Sequence, residues 1–141
     1  MIRARAPLAI GLVLAVLSAC VDEQKATEEA ESATNEEVGT SGTYRLTLTE
    51  KAVQRLGVQT SEVTTGSGGK LVFPYSALIY DLYGDIWVYV SPEACVFTRR
   101  AVTVRAISGD QVTATEGPEA GTLVASVGTA ELYGEETGIG K

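Results

Sequence analysis

The sequence predicts a mainly β fold, a small antiparallel β-barrel or sandwich with one short helix. Three observations lead there. Apolar and polar residues alternate in TYRLTLT, which puts Tyr44, Leu46 and Leu48 on one face of a half-buried strand. From there to Val127, candidate strands are separated by turn residues every eight to twelve positions. The strongest strand formers gather in FPYSALIYDLYGDIWVYV, Phe73 to Val90, which holds five of the six tyrosine and tryptophan residues that follow Tyr44.

The 141 residues allow one ordinary domain, and the first nineteen are not available to it. Arg3 and Arg5 begin the chain, Leu8 to Leu17 is an apolar run of ten, and LSAC ends it. Ten residues are too few to span a bilayer as a helix, which needs about 20, so residues 1–19 read as a secretory signal peptide. LSAC resembles the lipobox of bacterial lipoproteins. Ser18 and Ala19 stand as the small pair before the cut, and Cys20 as the new N-terminus and site of lipid attachment. The implied localisation is the cell envelope, extracytoplasmic and lipid-anchored to a membrane, on the periplasmic side in a Gram-negative cell. A palmitate-type acyl chain contributes about 0.8 kcal/mol per buried methylene, so two or more chains hold firmly. Cys95 is then left without a partner in the chain, and the expectation is a small buried apolar residue rather than a reactive thiol.

Residues 20–42 form the lipidated cysteine and an acidic tether. Val21 to Gly42 carries seven acids against Lys25 alone, with few large aliphatic residues, so it is expected to be disordered. As a flexible coil it would span roughly 25 Å. The β domain is expected over residues 43–134. After the first strand, Thr49 can cap a two-turn helix, Ala52, Val53 and Leu56 share one side of it, and Gly57 suits the position past its end. Val58 to Val63 returns as a strand. TTGSGGK, Thr64 to Lys70, lacks the spacing of a phosphate-binding loop, because that motif requires glycine where Thr64 stands and serine or threonine where Leu71 stands. It reads as a flexible connection.

Leu71 to Phe73 then opens a strand, Ser76 to Tyr80 continues extended, and Asp81, Gly84 and Asp85 supply turn chemistry. Ile86, Val88 and Val90 face one way, Trp87 and Tyr89 the other. Ser91–Glu93 reads as a turn and Cys95 to Ile107 as one long strand. Gly109–Asp110 turns back into Gln111–Thr115, Gly117–Gly121 turns again, and Leu123–Val127 closes the set. The segment after it reads as a polar end, with residues 135–141 as a flexible tail.

The chemistry of the chain argues against an enzyme. It contains no histidine, which removes the usual general base and most zinc sites. Met1 is the only methionine, so there is no thioether copper site. No catalytic residue, metal or cofactor is expected beyond the covalent lipid on Cys20. The net charge of −7 becomes −9 once Arg3 and Arg5 leave with the signal, a balance that argues against nucleic acid. Arg99 and Arg100 are the concentrated basic feature of the domain, and the pattern allows either to face in or out. They are candidate contacts for an acidic partner. Tyr75, Tyr80, Tyr83 and Trp87 are the candidate contact or binding surface, beside the simpler reading as core.

The same residues resemble the C-terminal part of periplasmic adaptor subunits, or membrane fusion proteins, of resistance–nodulation–division (RND-type) efflux pumps. Pro74, Ser76, Ala77, Leu78, Gly84 and Val88 match the adaptor pattern into its valine-rich strand. Arg100 and Val102 match the next strand, and Gly117, Gly121, Val127 and Gly128 the closing turn and strand. Thr47 to Val63 is similar to the segment that opens the folded part of heavy-metal-type adaptors. The likeness covers roughly Tyr44 to Glu135. It implies a membrane-proximal-type β domain, with an inner-membrane RND-type transporter or fellow adaptor subunits as partners in transmembrane transport. The barrel, lipoyl-like halves and helical hairpin that separate the two segments in adaptors are missing, and TTGSGG stands in their place. The ends of that missing part should therefore lie close together. A free-standing lipoprotein module that binds a small ligand or an envelope component is the alternative.

Overall fold

The computed structural model describes residues 33–38 and 43–138. The signal peptide, Cys20, most of the acidic tether and the last three residues lie outside the described residues. Among those described, no helix is long and apolar enough to cross a membrane.

The fold is mainly β, as expected, and is built as two antiparallel sheets with no closed barrel. Eleven strands are described: β1 Ala33–Val38, β2 Thr43–Leu48, β3 Gln59–Glu62, β4 Thr64–Thr65, β5 Leu71–Pro74, β6 Ile79–Tyr80, β7 Ile86–Glu93, β8 Val96–Ala101, β9 Thr103–Ser108, β10 Gln111–Glu116 and β11 Leu123–Val127. The larger sheet runs β1-β2-β8-β7-β11-β3, with β6 also on β7; the smaller runs β4-β5-β10-β9. Between the sheets lies a core of Val63, Phe73, Ala77, Leu78, Val88, Val90, Val102, Val112, Ala114 and Val124. Leu46, Leu48, Ile79, Tyr89, Phe97 and Ala125 point to the other face of the larger sheet, under two helices. Both faces of β7 are thus buried, with Val88 and Val90 on one and Tyr89 on the other.

The expected short helix is α1, Glu50–Leu56. The Thr49 side chain accepts from Ala52 N at 3.1 Å, and Gly57 sits in the left-handed region that ends helices. Buried Ala52 with Val53 and Leu56 forms its inward side. Five expectations need correction. Thr129–Thr137, expected as a polar end running into a tail from residue 135, is a second helix, α2, closed by Gly138. Its inward side is thin in apolar residues, with buried Leu132 and half-buried Tyr133, and gains its hold from the buried carboxylate of Glu136. Gly128 before it has a positive φ and packs closely, so that a Cβ there would stand 3.0 Å from Val58 Cγ2 and any other residue would be both strained and crowded.

Ala33–Val38, expected within the disordered tether, pairs with β2 as an edge strand. Its side chains are mostly exposed, so backbone bonds rather than apolar burial place it, and the Asn35 side chain donates to Glu135 O at 3.0 Å at the end of α2. The long strand expected over Cys95–Ile107 is broken at Val102, where the chain leaves one sheet for the other. Buried Val102 donates its N–H to Ile86 O and divides β8 from β9. Cys95, expected to be buried, is half-buried on the β7–β8 turn with φ 62, and Ser91–Glu93, expected as a turn, continues strand β7. A two-strand connection this tight demands a left-handed residue, and Cys95 supplies it.

Candidate functional site

Of the residues singled out by sequence, Cys20 lies outside the described residues; the others, Arg100 excepted, gather around the hairpin of β6 and β7. The hairpin loop is closed by Asp81 N donating to Asp85 O at 3.1 Å and Gly84 N donating to Asp81 O at 3.2 Å. The Asp81 carboxylate organises the rest. Oδ1 accepts from Tyr83 N at 2.9 Å and Asp85 N at 3.0 Å, and Oδ2 accepts from Trp87 Nε1 at 2.9 Å. Desolvation by the surrounding chain works against ionisation of this carboxyl. The three donated bonds and the nearby Arg99 charge outweigh it and hold Asp81 below the usual carboxylate range.

That direction sets a pH dependence. A carboxyl with a lowered folded-state pKa stabilises above its ordinary value, about 3.9, and that stabilisation is lost as pH falls through the lower folded value. Acidification below about pH 4 is therefore expected to loosen the loop. The Trp87 indole N–H signal in NMR reads this directly. An Asp81→Asn variant should lose the signal's protected position already at neutral pH, because its amide cannot accept all three bonds.

Arg99 and Arg100 part company, as neighbours on a strand must. Arg99 turns inward over the outer face of the larger sheet. Its Nε donates to Glu136 Oε1 at 2.9 Å, and the two side chains are 13% and 1% exposed. The Tyr89 hydroxyl donates a hydrogen bond to the other oxygen of Glu136. Burial, with Glu136 as acceptor, raises the Tyr89 pKa and keeps the phenol protonated. The guanidinium carbon lies 5.0 Å from the Trp87 ring centre and 5.7 Å from that of Tyr133, within the range of cation–π attraction. This cluster joins α2 to the sheet. Sequence reasoning missed Glu136 and Tyr133, which lie far along the chain in a segment with little periodicity.

A cleft of about 320 Å³ opens beside the cluster, lined by Thr43, Asp81, Leu82, Tyr83, Asp85, Trp87, Arg99 and Tyr133. Arg100 lies elsewhere. It is exposed and borders an open groove of about 600 Å³ with Val90, Pro92, Ala101, Pro118 and Glu119. Tyr75 and Tyr80 are exposed. Desolvation and the neighbouring Tyr75 push the Tyr80 pKa up. At the tip of the loop Leu82 and Tyr83 are 91% and 92% exposed.

No family model matches the chain, and neither a curated protein nor a solved structure matches it.

Proposed function

We propose that the chain is a non-enzymatic, lipid-anchored accessory or reduced adaptor component of an RND-type efflux system, and that its β domain docks on the transporter or on adaptor subunits. One observation carries the reading beyond the resemblance in sequence. The two segments that resemble an adaptor meet at a tight hairpin in which Thr64 pairs with Val72 and Thr65 with Leu71. The ends between which an adaptor carries its barrel, lipoyl-like halves and helical hairpin are thus side by side, as a chain shortened at that point requires.

The alternative, a small-ligand module using Trp87 as a stacking platform, finds less support. The Trp87 N–H is taken by Asp81 and Arg99 lies over its ring, so a stacked ligand would have to displace a buried ion pair. Chemical crosslinking of the full chain in native membranes, followed by identification of the captured proteins, tests the proposal. Recovery of an RND-type transporter or an adaptor subunit is expected. If conditions that capture a known transporter–adaptor pair recover neither, the proposal fails.

A further inference from the structure

We infer that the Leu82–Tyr83 tip is the element through which the domain docks, and that its receptor is an apolar pocket rimmed by lysine or arginine on the transporter or adaptor subunit. The inference rests on the docking reading above and adds the contact and the chemistry of its counterpart.

The tip has no structural duty that explains its composition. Leu82 and Tyr83 are almost wholly exposed and belong to neither core. A single exposed leucine is ordinary on a protein surface. Here a leucine and a tyrosine stand side by side on a loop that is stiffly held. Asp81 accepts from Tyr83 N and Asp85 N, its third bond ties the loop to Trp87, and Trp87 in turn lies against the Arg99–Glu136 pair. A pre-organised apolar projection loses little entropy on binding, and tyrosine is among the residues enriched where interface energy concentrates.

Charge selects the counterpart. Asp81 and Asp85 flank the two apolar side chains, Asp85 is exposed, and the chain as a whole carries −7. An anionic bilayer surface is repelled by such a tip, and so is a second copy of this acidic chain approaching it with like charge. An apolar pocket with a basic rim satisfies both the side chains and the carboxylate. The rim contacts are solvent-screened, so rising salt should weaken capture.

The test places a photo-crosslinking phenylalanine analogue at Tyr83 in the full-length chain in native membranes, with the same probe at exposed Ser67 and Arg105 for comparison. The expected result is capture of a transporter or adaptor subunit from Tyr83, through a partner peptide that is apolar and flanked by lysine or arginine. Adding Leu82→Asp and Asp85→Lys to the Tyr83 probe chain should lower that capture at least about tenfold, with the melting temperature unchanged. Capture of such a subunit from Ser67 or Arg105 but not from Tyr83 overturns the inference and leaves the docking reading standing. Capture of lipid or of another copy of this chain from Tyr83 also overturns it. No capture from any position, where a known pair is captured, defeats the docking reading itself.

Discussion

Replacing Glu136 with alanine is expected to destabilise the domain by about 3–5 kcal/mol. The Glu136 carboxylate is 1% exposed and accepts from both Arg99 and Tyr89. Its removal leaves a guanidinium and a phenol facing a buried void, and the stranded charge dominates the loss. For a domain of this size, thermal unfolding should shift down by on the order of 10–30 °C. The mechanism makes a second demand. Replacing all three partners with apolar residues, as in Arg99→Met, Tyr89→Phe and Glu136→Leu together, should recover most of the loss, because no unpaired polar group then remains. If the triple variant is as unstable as Glu136→Ala, the carboxylate acts through helix packing and not through the ion pair.

The second large effect is expected at the other core. Phe73→Ala should cost about 3–5 kcal/mol, since Phe73 is 2% exposed and fills the space between the sheets beside Val63, Leu78, Val88 and Val112. Chemical denaturation should show a lower midpoint with an unchanged slope, as the surface exposed on unfolding barely alters. By contrast, Leu82→Ala and Tyr83→Ala should each change stability by no more than about 0.5 kcal/mol. These two sets of variants separate what folds the domain from what it presents.

How much of this was legible in the sequence follows from the range of the interactions. The β6–β7 hairpin is written locally. Asp81, Gly84 and Asp85 specify the loop, and alternation in Ile86–Val90 assigns Val88 and Val90 to one face and Tyr89 to the other. α1 carries its own start and stop in Thr49 and Gly57. α2 does not. Its apolar content is Leu132 and Tyr133, and the group that secures it pairs with an arginine 37 residues earlier. The glycine at position 138 was the available signal, in the place where helices end. β1 offers only half-buried Ala33 to the core, so nothing in its composition marks a strand held chiefly by backbone pairing and the Asn35 side chain.

The division of β8 from β9 at Val102 carries no glycine or proline, and only the tertiary switch between sheets reveals it. The same limit applies to the candidate site. Trp87, Tyr75, Tyr80 and Tyr83 were visible as a cluster of aromatic residues. Which of them is engaged and which is free depended on Arg99 turning inward and Arg100 outward, a choice made by strand register.

The place of β11 in the larger sheet governs when the domain can form. β11 is the last strand among the described residues, yet it sits between β7 and β3 and pairs with both. A chain that has not reached Leu123 can pair β1, β2, β8, β7 and β6 with one another, but β3 has no partner in the larger sheet and the Val90 end of β7 is an open edge. Completion of the larger sheet therefore waits for residues 123–127, and these closing contacts are long in sequence separation, which slows folding. Until Val127 is in place, β3 stays detached from the rest of the larger sheet.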